Sequence, residues 1–108
     1  MYSENMGYYY GCDMRGMLSF QILYLLSKKS MHGEDLAKEL EKRRGEKPTA
    51  GTIYPALKEL KNKRLIKGEK KGKTIVYSLT PQGKESVKYA REYFLRCFSD
   101  VFENRKIT

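Results

Sequence analysis

Apolar residues recur at helical spacing through Leu60, give way to a β-favouring run at Thr74, Ile75, Val76 and Tyr77, and resume helical spacing after Pro81. This double change of period restricts the chain to short helices, then a hairpin, then one long helix. In the first helical stretch Leu18, Ile22, Leu25 and Leu26 form the stripe, Phe20 and Leu23 widen it, and Lys28 and Lys29 suit a C-terminal turn. In the second, Glu34 and Asp35 fit a first turn, Leu36, Ala37 and Leu40 form the stripe, and Arg43, Arg44 and Gly45 mark the end. The third follows the short turn KPTAG and carries Ile53, Leu57 and Leu60 at intervals of four and three.

The basic turn KKGK separates a first strand of weak β propensity from a strong second one, which predicts a two-stranded hairpin. Thr80 before Pro81 reads as a helix N-cap followed by proline at the first helical position, where no N–H donor is required. The helix that follows is the longest, with Val87, Ala90, Phe94, Cys97 and Val101 stepping by three and four, and Leu95, Phe98 and Phe102 broadening the face. Two readings fit that face. Either Val87, Ala90, Phe94, Cys97, Phe98 and Val101 meet a second copy in a homodimer, or the helix folds back across Leu18 and Ile22 in a monomer. Three small helices and a hairpin have limited apolar area to cover so many aromatics, which favours the homodimer.

The expected fold class is therefore mainly α with a small β-hairpin: a winged helix-turn-helix plus a long C-terminal dimerisation helix. Residues 1–16 combine tyrosines and glycines without a period and read as an N-terminal arm or short helix. Residues 17–80 form the winged-helix DNA-binding domain, and residues 81–108 the dimerisation helix and tail.

The chain of 108 residues carries 22 lysines and arginines against 13 aspartates and glutamates, a formal charge of +9. Such a balance favours a polyanionic partner. No run approaches the roughly 18 apolar residues of a membrane span, and the start of the chain lacks the pattern of a signal peptide, so no membrane partner and a cytoplasmic location are expected. Cys12 and Cys97 are too few for a disulfide framework, and with His32 and Asp13 they match no standard metal spacing. No cofactor is expected. No nucleophile stands with a base and an orienting group, so an enzyme is not expected either. His32 has two readings, a sensor titrating near neutral pH or a cap and packing residue.

The face of the third helix opposite Ile53, Leu57 and Leu60 carries Thr52, Pro55 and Lys58. Small and polar groups there permit close approach to base edges in a major groove. Pro55 constrains where that helix begins. If it starts near Thr49 or Ala50, Pro55 forfeits a bond to the Gly51 carbonyl and crowds it; if Thr52 is the cap, proline falls harmlessly in the first turn. The second start carries the lower cost and is the one expected. Beside this helix Lys67, Lys70, Lys71 and Lys73 surround Gly68 and Gly72, giving a narrow wing that offers positive charge to phosphate.

Met31-His32-Gly33, the run from Pro48 through Thr49, Thr52, Ile53, Tyr54 and Pro55 to Leu57, then Leu65-Ile66, and Tyr77-Ser78-Leu79-Thr80 with Gly83 resemble successive signatures of the PadR family of transcriptional regulators. The resemblance extends from about Gly16 into the last helix, and PTAGTIYPAL is its most specific part. It implies a dimeric winged-helix repressor whose long C-terminal helix, often with the N-terminal helix, forms the dimer. It also implies a pseudo-palindromic double-stranded DNA operator and a small aromatic or amphipathic effector, lying between subunits in a chain this short. By the same resemblance Thr49, Thr52, Tyr54 and Pro55 fall in the DNA-reading segment, with Tyr54 either touching phosphate through its hydroxyl or packing on the second helix. Two departures stand out: Glu34 where an aromatic commonly follows MHG, and Arg64 where glycine usually ends the third helix. The competing functional reading is a winged helix that binds RNA or protein without sequence-specific DNA readout.

Overall fold

The computed structural model describes residues 17–103. The N-terminal arm with Cys12 and Asp13, the side chain of Phe102 and the tail lie outside the described residues. Helices α1 (Leu18–Lys28), α2 (Gly33–Arg44) and α3 (Ala50–Asn62) are followed by strands β2 (Ile66–Lys71) and β3 (Thr74–Leu79) and by helix α4 (Pro81–Glu103). The fold is the expected winged helix with a long final helix. Among the described residues no helix is long and apolar enough to cross a membrane.

One strand escaped the sequence reading. Met31–His32 forms a short strand, β1, so the hairpin is part of a three-stranded antiparallel sheet in the order β1-β3-β2. Met31 pairs with Tyr77 and His32 with Val76. Two residues are too few to display a period of two, and only the pairing with β3 makes them a strand. On the sheet's inner face Ile66 and Gly68 stand opposite Leu79 and Tyr77. Ile66, Tyr77 and Leu79 join Ile22, Leu36, Leu40, Ile53, Leu57 and Leu60 in one core, so the hairpin base is fixed to the same apolar centre as the helices.

Helix α3 begins earlier than expected, which corrects the assignment of Thr52 as its cap. Thr49 is the N-cap, with extended backbone (φ −75°, ψ 163°), and its carbonyl accepts the Ile53 N–H at 2.9 Å. Pro55 therefore sits inside the helix, beyond the first turn. Lacking an N–H, it leaves the Gly51 carbonyl without its helical donor. Gly51 and Pro55 are both exposed, so water is available to that carbonyl and the cost of the interruption is reduced. The other side of the same turns buries Ile53 and Leu57, and this anchoring overrides the local preference for a later start.

Candidate nucleic-acid interface

The turn from Gly45 to Thr49 joins α2 to α3. Gly45 closes α2 in the left-handed region at φ 87°, which glycine enters without steric cost. The Lys47 ammonium donates to the Glu34 carboxylate at 2.6 Å and ties the turn back to the start of α2. That contact holds the Glu34 carboxyl below, and the Lys47 ammonium above, their ordinary pKa values. Glu34 thus forms an ion pair at the position where the family resemblance leads one to expect an aromatic.

Helix α3 turns Ile53, Leu57 and Leu60 into the core and leaves Thr49, Thr52, Tyr54, Pro55 and Lys58 exposed. The Thr49 and Thr52 hydroxyls lie 3.1 Å apart, and neither makes a side-chain cap to the backbone. Tyr54 is 48% exposed, and its ring lies across Gly33 at the start of α2. A Cβ at Gly33 would stand 2.7 Å from the Tyr54 hydroxyl oxygen, so the ring's position requires glycine there. Tyr54 consequently takes the packing position against the second helix while keeping half its surface open. Nearby, burial raises the Tyr77 phenol pKa above its ordinary value, and Tyr54 adds to the effect.

The wing extends from the opposite end of the sheet. Lys70 pairs with Ile75 and Lys71 with Thr74, and Gly72 turns the chain at φ 63°. Because neighbouring strand residues point to opposite faces, Lys70 and Lys71 spread their charges on both sides of the ribbon, with Lys73 at its tip. Among the described residues, the ion pairs engage Lys42, Arg43, Lys47 and Lys63 with Glu39, Glu34 and Glu59, and His32 Nε2 lies 3.1 Å from the Asp35 carboxylate. None engages Lys58, Lys70, Lys71 or Lys73. Among the described residues, the charges of Lys58 and of the three wing lysines thus lack acidic partners. His32 is the N-cap residue of α2 by backbone position, with no side-chain cap bond. No group of histidine, cysteine and acidic side chains suited to a metal occurs among the described residues.

A family model for the transcriptional regulator PadR-like family matches residues 22–89, from the first helix into the last. The chain belongs to this family. It is a winged-helix transcriptional regulator and not an enzyme. This PadR-like chain is similar to RosR of H. salinarum, 32% identical over 75% of this chain and 74% of that one, with a TM-score of 0.70. A PadR family transcription regulator from hypervirulent Clostridium difficile is 28% identical over 85% and 99% of the two chains, with a TM-score of 0.69. A PadR-like transcription factor from Bacteroides fragilis is 27% identical over 82% and 89%, with a TM-score of 0.70. No curated protein matches the chain at a significant level.

In this PadR-like regulator α4 leaves the domain carrying an uncovered apolar face. Val87, expected at a dimer interface, is 4% exposed and belongs to the chain's own core, because α4 still lies against the domain at that point. Ala90 and Phe94 are half-buried, and the Phe94 ring stacks on Phe20 of α1 with centroids 5.8 Å apart. Part of the helix therefore does fold across α1. Farther along, Cys97, Phe98 and Val101 are exposed, together with Tyr93 and Leu95. On this face the neighbouring Cys97 thiol raises the Tyr93 phenol pKa above its ordinary value. Beside Phe94 a cleft of about 630 Å³ opens between α1 and α4, lined by Phe20, Tyr24, Lys88, Arg91, Glu92 and Leu95.

Sequence reasoning missed two features of this interface. The seat that Gly33 provides for Tyr54 depends on a contact between helices, which no local pattern reveals. The backbone at Arg64 adopts φ 62°, the left-handed conformation usually supplied by glycine. The missing glycine at the end of the third helix had marked the position, but not that arginine would take the same conformation.

Proposed function

We propose that the chain acts in the cytoplasm as a homodimeric repressor that binds a pseudo-palindromic double-stranded DNA operator. The observation that carries this reading is the division of α3: one side is locked into the core, while Thr49, Thr52, Tyr54, Pro55 and Lys58 form an open face beside a wing whose lysines lack acidic partners among the described residues. The outer face of α3 meets base edges, and Lys70, Lys71 and Lys73 meet phosphates on either side. The apolar face formed by Phe94, Cys97, Phe98 and Val101 joins two copies, since exposed apolar area of this kind is costly to leave in water. The cleft beside Phe20 and Phe94 receives a small aromatic or amphipathic effector, its rings offering stacking and its charged rim orienting polar groups.

Selection from a randomised duplex pool tests the reading. The wild-type protein is expected to enrich a sequence with internal two-fold symmetry, and that duplex should outcompete scrambled DNA and RNA. Equal competition by scrambled duplexes and RNA would favour a winged helix used without sequence readout and would reject the operator proposal.

A further inference from the structure

One hydroxyl joins the end of α3 to the start of α4. Thr80 Oγ1 donates to the Arg64 carbonyl at 2.7 Å and accepts the Gly83 N–H at 3.0 Å. The Thr80 N–H donates to the Leu65 carbonyl at 3.1 Å. Gly83 lies so close to that same Leu65 carbonyl that a methyl group at this position would collide with the oxygen. On the other side of the joint, Arg64 and Leu65 close α3: the Arg64 N–H reaches the Lys61 carbonyl at 2.9 Å, and the Leu65 N–H the Leu60 carbonyl at 3.0 Å. This is a Schellman closure, with Arg64 in the left-handed position.

The two helices joined here carry different tasks. Helix α3 presents the open face assigned to DNA, and α4 presents the face assigned to the second copy. Val87 and its neighbours hold α4 to the domain by apolar contact, but such contact has no directional preference. Hydrogen bonds do, and the Thr80 hydroxyl uses its donor and one acceptor site in opposite directions. Thr80 caps α4 and moves with it, so rotation of α4 against α3 would keep the Gly83 bond and break the bond to the Arg64 carbonyl.

We infer that Thr80 is a positioning residue for operator binding: its hydroxyl fixes α3 against α4 and so sets the separation of the two reading helices in the dimer. The inference rests on the dimeric, DNA-reading function proposed above. Thr80→Asp separates this role from simple helix capping. Aspartate is a strong N-cap and accepts the Gly83 N–H, but its carboxylate has no proton for the Arg64 carbonyl. Thr80→Ser retains both bonds and serves as the rescue.

The probes are the duplex selected by the wild-type protein and two derivatives whose half-sites are one base pair closer or farther apart. A folded, dimeric Thr80→Asp protein is expected to bind the selected duplex roughly three- to tenfold more weakly and to distinguish the three spacings less well. Thr80→Ser should behave as wild type. Wild-type affinity and spacing preference in Thr80→Asp would overturn the inference, as would an equal loss in Thr80→Ser. If circular dichroism and sedimentation show that Thr80→Asp does not form a folded dimer, Thr80→Gly carries the same test, because glycine is also a favoured N-cap residue and has no hydroxyl for the Arg64 carbonyl. Failure of both to fold would make the hydroxyl a global stabiliser and would also overturn it. A wild-type protein with no preferred duplex would instead remove the function on which the inference rests.

Discussion

The hydroxyls of Thr49 and Thr52 lie 3.1 Å apart across the first turn of α3 and satisfy each other, so neither is committed to capping the helix. Their bond is exposed, where a hydrogen bond exchanges readily with water and contributes little net stability. Thr52→Ala should therefore change unfolding free energy by no more than about 0.5 kcal/mol. Its preference for a matched over a scrambled duplex should nevertheless fall. Chemical denaturation and competitive binding measure the two effects separately. A large stability loss would restore Thr52 as a cap, and an unchanged preference would remove it from the base-reading set.

Arg64 occupies the left-handed region at φ 62°, where an L side chain is strained and glycine is not. Arg64→Gly relieves that strain but adds backbone freedom to the unfolded chain. The balance should be a gain of about 0.5–1 kcal/mol in urea unfolding, with the midpoint moved and the slope unchanged. Equal or lower stability would show that the arginine side chain compensates for its backbone.

Replacing Lys70, Lys71 and Lys73 with alanine should weaken operator and random DNA alike. The slope of log affinity against log salt should flatten by up to about 0.9 for each phosphate that is no longer neutralised. Titrations at several salt concentrations provide the check. A slope and affinity equal to wild type would separate the wing from the DNA.

The Glu34–Lys47 ion pair makes stability depend on pH in a defined direction. Lys47 lowers the Glu34 pKa from its ordinary 4.5, so the folded state binds this proton less readily than the unfolded chain. The contribution is fully present above about that ordinary value and is lost as pH falls through the lowered one. Wild type should be more stable than Glu34→Gln near neutral pH, and the gap should close in acid. A gap that persists or widens in acid would mean that Glu34 acts by something other than its charge. Because both side chains are largely solvated, the gap itself will be small and salt-sensitive.

The helices, the wing and the cap at Thr80 were legible because each rests on local chemistry. Ile53, Leu57 and Leu60 recur at helical spacing, KKGK interrupts a β-favouring run, and Thr80-Pro81 fits the geometry of a helix start. Features created by packing between elements were not legible in the same way. Val87 continues the stripe of Phe94 and Val101, yet the path of α4 across the domain places it in the core and leaves Val101 exposed. Pro55 gave a sound local argument for a late start to α3, but the core anchoring of Ile53 outweighed it. The outer face of α3 could be read only as the complement of its buried stripe.

The number of half-sites required for tight binding tests the dimeric DNA-reading function most directly. Two duplexes of equal length are titrated, one carrying both halves of the selected operator and one with a single half replaced by scrambled sequence, while sedimentation counts chains per duplex. Two chains should occupy the intact operator, and loss of one half should weaken binding at least tenfold, because a helix-turn-helix dimer engages both half-sites together. A single chain bound to the intact operator, or equal affinity for the two duplexes, would contradict it.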